Sequence, residues 1–279
     1  MDTIDTAELQ SFFEHMHEMA DRSEALILPH FRGKLSVDEK SGKGFFDPVT
    51  EADRQAERVI RDYLGQILPS HSIVGEEFDD VHQSSDYCWI IDPIDGTRAF
   101  VMGSPLWGTL IGLTYQGRPL LGMMNQPFTG ERFWAGPEGC FGRWRGFEGR
   151  LQSAQTTALA EAVITSTCPD LFGSPDDKDA FEALRAQCRM TRYGGDCFNY
   201  CLLAMGGVDL VVESGLQTFD IAPLVPLVEH AGGVITDWHG APLKIEGETS
   251  LQVIAAATPQ LHDVALRTLA QTSSSQTSS

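Results

Sequence analysis

The chain contains the segment Trp89-Ile90-Ile91-Asp92-Pro93-Ile94-Asp95-Gly96-Thr97, in which an apolar run typical of a buried strand leads directly into two carboxylates. Asp92 and Asp95 can converge on one point only if the backbone turns between them, and Pro93 and Gly96 favour such a turn. Two neighbouring carboxylates repel each other unless a divalent cation neutralises them. The segment therefore predicts a strand that ends at a cation site, with an exposed Asp-rich turn as the alternative interpretation.

Further acidic residues lie on either side of this segment. Glu76 directly follows a short apolar run, Asp47 begins the stretch Asp47-Pro48-Val49-Thr50, and Asp220 lies in Gln217-Thr218-Phe219-Asp220. Each has a simpler interpretation: a solvated acidic turn for Glu76, a helix N-cap for Asp220, and helix capping for the Asp47 stretch through Thr50 and Asp53. If Gly96 and Thr97 open a helix, their backbone N–H groups would form a site for a phosphate.

The charge balance narrows the classes of partner. The 279 residues include 20 Lys and Arg against 39 Asp and Glu, a formal net charge of −19. Such a surface repels nucleic acid and anionic lipid and is typical of an enzyme for small molecules or a protein that collects cations. No apolar run approaches the roughly 18 residues of a membrane span, and residues 1–20 do not resemble a signal peptide. Six cysteines without CxxC spacing predict reduced thiols and a cytoplasmic location.

The hydrophobic pattern predicts two halves. Residues 1–150 combine an amphipathic helix over 6–31, a loop or hairpin over 34–46, a helix over 50–68 and hairpin-connected antiparallel strands, and they supply most of the candidate ligands. Residues 151–270 alternate α and β and complete the site, with helices at 176–187, 196–205, 220–230 and 259–270. The Ser- and Thr-rich tail 271–279 is predicted to be disordered.

Taken in order, these motifs resemble the inositol monophosphatase family of metal-dependent phosphomonoesterases. The resemblance rests on Asp47, Glu76, Asp92-x-x-Asp95-Gly96-Thr97, Asp220 and the later Glu229-His230-Ala231-Gly232-Gly233-Val234. It implies an α/β fold in the form of a five-layer αβαβα sandwich, a homodimer, and two or three Mg²⁺ ions per active site.

The resemblance also implies roles for individual residues. The matching metal ligands are Glu76, Asp92, the Ile94 carbonyl, Asp95 and Asp220. Thr97 and Asp47 match the pair that orients the attacking water beside the metal ligand Glu76, and the amides of Gly96 and Thr97 match the phosphate contacts. A cation-binding regulatory module is the non-enzymatic alternative, but such a module needs neither Thr97 nor Asp47.

Two segments bear on the substrate. Thr97-Arg98-Ala99-Phe100 and Tyr193-Gly194-Gly195-Asp196-Cys197-Phe198-Asn199-Tyr200 look like the histidinol-phosphate phosphatases of the family. Asp196 and Glu213 would suit a cationic leaving group, with Gly195 and Arg98 as further contacts. An inositol-phosphate or broad-specificity monophosphatase is the alternative, because Asp196 could cap a helix and Glu213 could hold sugar hydroxyls.

Overall fold

Helices and strands alternate along the residues that a computed structural model describes, which are 4–33, 37–39, 48–245 and 250–275. The helices are α1 Thr6–Ile27, α2 Glu51–Ile67, α3 Thr97–Met102, α4 Pro175–Arg185, α5 Phe198–Ala204, α6 Thr218–Ile221, α7 Val225–His230 and α8 Pro259–Ser275. The strands are β1 Val37–Glu39, β2 Pro48–Thr50, β3 Ser72–Gly75, β4 Tyr87–Asp95, β5 Gly108–Tyr115, β6 Arg118–Gln126, β7 Glu131–Gly136, β8 Gly139–Trp144, β9 Phe147–Arg150, β10 Val163–Ser166, β11 Met190–Tyr193, β12 Leu210–Leu216, β13 Val234–Thr236 and β14 Leu251–Ala256.

The strands from β3 onward form two sheets. The seven-stranded sheet runs in chain order from β3 to β9, with β3 and β4 parallel and every later pair antiparallel. The five-stranded sheet has the order β11-β10-β12-β14-β13, with β10 parallel to both of its neighbours. Strands β1 and β2 form a separate antiparallel pair. The first sheet lies within residues 72–150 and the second within 163–256.

The alternation of side chains along β4 explains the layers. Trp89 and Ile91 pack with α1 and α2 on one face of the seven-stranded sheet, whereas Ile90 joins the core formed with α5 and α7 on the other. On β12, Val211 faces that same central core, and Val212 faces α4 and α8. The order is therefore α1 and α2, the first sheet, α5 to α7, the second sheet, then α4 and α8, which confirms the predicted αβαβα sandwich.

Local signals account for the start of α2. The Thr50 hydroxyl accepts a hydrogen bond from Ala52 N, and Asp53 Oδ2 accepts one from Thr50 N at 2.9 Å, which closes a capping box. The predicted capping role of Thr50 and Asp53 is confirmed. The predicted helix over 6–31 ends at Ile27, two residues before Pro29.

Three elements differ from the sequence predictions. The predicted helix over 220–230 is divided into α6 and α7, because Pro223 cannot continue the first of them. Strand β11 was not predicted; its pattern is mostly exposed, as expected for an edge strand. Helix α8 continues to Ser275, into the tail predicted to be disordered, since a helix anchored by buried Leu269 can propagate beyond it.

Two predicted segments lie wholly or partly outside the described residues, whereas the predictions about cysteines and membrane spans can be checked. Most of the predicted loop over 34–46 and the final residues 276–279 are not described. All six cysteines are described, and all are free thiols, as predicted. None of the described helices combines the length and apolar character that crossing a bilayer requires.

Two glycines let the chain before α7 lie directly on the seven-stranded sheet. A Cβ atom built on Gly122 would lie 1.9 Å from the Pro223 carbonyl oxygen, and one on Gly112 would lie 3.1 Å from Pro223 Cα. The distance at Gly122 is too short for any real Cβ atom, and the distance at Gly112 is tighter than most real Cβ contacts. Bare backbone at these positions on β5 and β6 therefore brings the segment that contains Asp220 down onto the sheet that contains Asp92.

Candidate active site

Strand β4 ends in the two carboxylates of the quoted segment. Asp92 is 2% exposed, and its Oδ1 accepts a hydrogen bond from Ile94 N at 3.0 Å. The pairing of β4 with β5 shifts register between Asp92 and Asp95, so the strand is irregular here rather than reversed by a turn. This irregularity brings both carboxylates to the same end of the sheet.

Asp220 supplies a third carboxylate from the short helix α6. Its Oδ2 accepts the N–H of Gln217 at 2.8 Å, so it is the third residue of the helix and closes a capping box. Each of Asp92, Asp95 and Asp220 offers one oxygen, and these oxygens lie within 4.8 Å of one another. We call these three residues the carboxylate cluster. Gln217, and not Asp220, is the N-cap of α6, so the N-cap alternative for Asp220 is wrong, although Asp220 does take part in the capping box.

The electrostatics of the cluster favour a cation. Burial, together with the charges of Glu76 and Asp95, raises the pKa of Asp92 well above its usual range, and burial with Asp95 does the same for Asp220. Burial and the charge of Asp196 raise the pKa of Asp95 to about 7. Buried carboxylates that oppose each other's ionisation are stabilised by a divalent ion, and oxygen ligands of this kind suit Mg²⁺. The residues present therefore fit the metal that the sequence implies.

The cluster opens into a cavity of about 380 Å³. Its lining includes most of the residues singled out in the sequence: Glu76, Ile94, Gly96, Thr97, Arg98, Asp196 and Glu213. Glu76 directly follows β3, which lies beside β4 in the sheet, and this placement brings it next to Asp92. Most of the residues predicted to act together, though not Asp47 or Gly195, are thus found around one concave site.

Gly96 and Thr97 connect the cluster to α3. Gly96 has φ +84°, and a Cβ atom at this position would lie 2.9 Å from the Leu106 carbonyl oxygen, so the site requires glycine. As the N-cap of α3, Gly96 provides no side-chain hydrogen bond to the first N–H groups of the helix. The Thr97 hydroxyl donates to the Ile94 carbonyl at 2.9 Å, which fixes its oxygen at the cavity wall.

Asp196 lines the cavity beside Gly96, at the start of the segment that leads into α5. Its φ of +45° is in the left-handed region, which a short polar side chain tolerates. Cys197, and not Asp196, is the N-cap of α5, so the capping alternative for Asp196 is wrong. Burial raises the pKa of Asp196 to about 6, although a hydrogen bond from Gly195 N–H and the charge of Arg98 oppose the shift.

Glu213 and Gly195 occupy different surroundings. The Glu213 carboxylate is 4% exposed and accepts hydrogen bonds from Thr167 N at 2.7 Å, Thr167 Oγ1 at 2.9 Å and Ser166 Oγ at 3.2 Å. Burial nevertheless raises the pKa of Glu213 to about 7. Gly195 does not line the cavity, and its N–H is directed to Asp196. Its role as a substrate contact stays a prediction.

Of the remaining site residues, one lies outside the described part of the chain and others were not predicted from the sequence. Asp47 lies outside the described residues. The sequence reasoning did not single out Tyr200, which lines the cavity and whose buried hydroxyl has no hydrogen-bond partner in the described part of the chain. It also missed Glu57 and Arg61 of α2, which contact the loop that carries Glu76. Their spacing of four residues was a signal only for an ordinary helical ion pair.

A family model identifies the chain as a whole. The model described as "Inositol monophosphatase family" matches residues 8–274, which include every element of both sheets from β3 to β14. The chain belongs to the inositol monophosphatase family. Membership makes it a phosphatase that acts on phosphoric monoesters, and magnesium dependence is a property of this family.

Individual members of the inositol monophosphatase family are similar over nearly the full chain. A "Bifunctional phosphatase IMPL2, chloroplastic" of Arabidopsis thaliana is 39% identical over 95% of this chain and 77% of its own length. A "Histidinol-phosphatase" of Chlorobaculum parvum is 35% identical over 83% of this chain and 87% of its own. The solved structure of an inositol monophosphatase from Zymomonas mobilis superposes with a TM-score of 0.83 at 38% identity, covering 94% of this chain and 98% of that one.

Proposed function

We propose that this phosphatase hydrolyses L-histidinol phosphate to L-histidinol and phosphate, a step of histidine biosynthesis, in a Mg²⁺-dependent reaction. The observation that carries the proposal is the meeting of Asp92, Asp95 and Asp220 within 4.8 Å, in a cavity that also holds Asp196 and Glu213. The first set suits a metal, and the second suits a positively charged leaving group. The histidinol-phosphatase names of relatives at 35% identity support the same substrate.

The metal ligands proposed are Glu76, Asp92, the carbonyl of Ile94, Asp95 and Asp220. Magnesium held by these residues would act as a Lewis acid, which would offset the negative charge of the phosphate oxygens and make water a better nucleophile. One ion would be held by Glu76, Asp92 and Ile94, and a second by Asp92, Asp95 and Asp220, with a third, weaker one near Glu76. The raised pKa values of the cluster support this occupancy, because each added positive charge relieves repulsion between carboxylates.

The chain's own groups position the reactants. The Thr97 hydroxyl, already donating to the Ile94 carbonyl at 2.9 Å, has lone pairs left to accept a hydrogen bond from the attacking water. Asp47 is proposed to take part in the same orientation. The N–H groups of Gly96 and Thr97, which no side chain caps, would contact phosphate oxygens.

The leaving group is where the candidate substrates differ. Histidinol carries an ammonium group and an imidazole, whereas inositol carries only hydroxyls. Asp196 and Glu213 place two carboxylates on the cavity wall, which favours the cationic alcohol. Inositol phosphate is the second candidate, since the solved Zymomonas mobilis protein at 38% identity is named an inositol monophosphatase. A cytoplasmic homodimer stays the prediction for the assembled enzyme.

Phosphate release from a panel of monoesters, with and without Mg²⁺, tests the proposal. The panel contains histidinol phosphate, inositol 1-phosphate and glycerol 2-phosphate, whose leaving group is uncharged. We expect the highest kcat/KM for histidinol phosphate and no turnover after removal of divalent cations by a chelator. A higher kcat/KM for inositol 1-phosphate would show that inositol phosphate, and not histidinol phosphate, is the preferred substrate. Undiminished activity without divalent cation would overturn the proposed mechanism.

Asp196→Asn is expected to separate charge recognition from catalysis. Asparagine tolerates the positive φ of this position and keeps the shape of the side chain, so only the charge is lost. We expect KM for histidinol phosphate to rise by about tenfold or more, because a hydrogen bond to a charged group contributes about 1.5–3 kcal/mol. KM for glycerol 2-phosphate is expected to change little. Equal effects on both substrates, measured by steady-state kinetics, would show that Asp196 does not recognise the leaving group.

A further inference from the structure

Helix α2 holds the loop that contains Glu76. Glu57 Oε2 accepts a hydrogen bond from the backbone N–H of Glu77 at 2.8 Å, so the helix contacts the residue adjacent to the proposed ligand. Arg61 extends the contact along the same loop, donating from Nη2 to the Phe78 carbonyl at 3.0 Å and from Nη1 to the Asp79 carbonyl at 2.9 Å. Three consecutive residues after Glu76 are therefore tied to one helix.

The two side chains also fix each other. Arg61 Nε donates to Glu57 Oε1 at 2.7 Å, while the Glu57 side chain is fully buried and that of Arg61 is 12% exposed. All three nitrogen groups of the guanidinium are thus engaged, one with the carboxylate and two with backbone carbonyls. The planar fork of arginine allows this combination, and lysine cannot reproduce it. We call Glu57 and Arg61 the α2 clamp.

Gly75 shows how closely the clamp fits the loop. A Cβ atom built on Gly75 would lie 2.3 Å from Glu57 Oε1 and 2.9 Å from Arg61 Nη2. Gly75 is the last residue of β3 and directly precedes Glu76. The clamp therefore contacts the loop on both sides of the proposed ligand, and it occupies the space that any other residue at position 75 would need.

We propose that Glu57 and Arg61 are positioning residues that fix Glu76 for Mg²⁺ and so set the affinity of the site for the ion. The inference rests on the proposed ligation by Glu76. Neither clamp residue lines the cavity, so both act through the loop rather than on the substrate. Replacing a residue that orients a metal ligand without itself contacting the metal typically weakens metal affinity by about 10- to 100-fold.

Calorimetric titration of the metal-free protein with Mg²⁺ tests the clamp without relying on turnover. Glu57→Gln removes the charge and offers an amide where the loop and Arg61 both require an acceptor. We expect its Kd for Mg²⁺ to rise about tenfold or more, with kcat at saturating Mg²⁺ lowered far less. Arg61→Lys keeps the positive charge but cannot make the hydrogen bonds to both loop carbonyls, and we expect a smaller rise in Kd. This variant tests the proposal if Glu57→Gln fails to fold.

The matched control is the exposed ion pair Glu18–Arg22 of α1, which has the same spacing of four residues and an N···O distance of 2.7 Å. Arg22→Gln is expected to leave Kd for Mg²⁺ unchanged. Folded clamp variants with a lowered melting temperature but wild-type Kd would overturn the proposal and leave the clamp a structural element. Absence of Mg²⁺ binding by the wild-type protein would instead refute the metal centre itself, so the two failures are distinguishable.

Discussion

Replacement of Asp95 by asparagine is expected to abolish Mg²⁺-dependent phosphate release while the protein stays folded. The amide oxygen can still accept the hydrogen bond that Asp95 Oδ2 receives from Cys197 N at 2.6 Å, so the local backbone is retained. What is lost is the charge at the centre of the carboxylate cluster. Because metal ions contribute several kcal/mol to transition-state stabilisation in such sites, we expect kcat/KM to fall on the order of 10³-fold or more.

The stability of Asp95→Asn distinguishes a catalytic defect from misfolding. Burial raises the pKa of Asp95 to about 7, above its value in an unfolded chain, so the metal-free wild type loses stability as the pH rises through 7. The neutral amide removes that cost, and the metal-free variant is expected to melt no lower than the metal-free wild type at pH 8. Asp263→Asn, at an exposed position on α8, is the control for an ordinary loss of one charge. Wild-type turnover by Asp95→Asn would refute the metal assignment.

Gly122→Ala is expected to destabilise the protein strongly, although it adds a single methyl group. The new carbon would overlap the Pro223 carbonyl oxygen, which lies 1.9 Å from its ideal position. Relief requires the segment between α6 and α7 to move off the sheet, at a cost of about 3 kcal/mol. We expect the melting temperature to fall by roughly 8 °C, and Mg²⁺ to bind more weakly because Asp220 lies in α6, directly before the displaced segment.

Gly65→Ala supplies the matched control within the same protein. A Cβ atom at Gly65 meets no atom within 4 Å, and the residue lies inside α2. Alanine favours a helix interior by about 1 kcal/mol relative to glycine, so this variant is expected to melt at the wild-type temperature or slightly above it. If thermal unfolding showed equal effects for both substitutions, close backbone packing at Gly122 would not be the cause.

The parts of the fold that sequence reasoning predicted are those with strong local signals. The apolar run before Asp92 specified β4, the capping pair Thr50 and Asp53 specified the start of α2, and the turn 116–119 specified the hairpin of β5 and β6. The convergence of Asp92 and Asp95 was predicted from their own segment, whereas the approach of Asp220 to them was expected only from the family resemblance. Nothing in local spacing could bring Asp220 to β4, because bare glycines on neighbouring strands create that approach.

Other features lacked a local signal. Glu57 and Arg61 have the spacing of any solvent-exposed helical ion pair, and only the fold shows that Glu57 is fully buried against the loop after β3. Asp196 follows two glycines, as many capping residues do, yet its backbone lies in the left-handed region and Cys197 begins the helix. In both cases the local sequence is compatible with more than one arrangement. Long-range packing decides that Glu57 is buried and that Asp196 precedes the helix instead of capping it.

The carboxylate cluster draws its members from distant parts of the chain. Asp92 and Asp95 end a strand of the first sheet, whereas Asp220 follows β12 of the second. The three oxygens come together only after both sheets have docked on the shared core, so an unfolded or half-assembled chain has no equivalent site. A cation that binds only to this assembled cluster, and not to the unfolded chain, stabilises the native state by mass action. Magnesium supply would then govern how well the chain resists proteolysis, as well as how fast it turns over substrate.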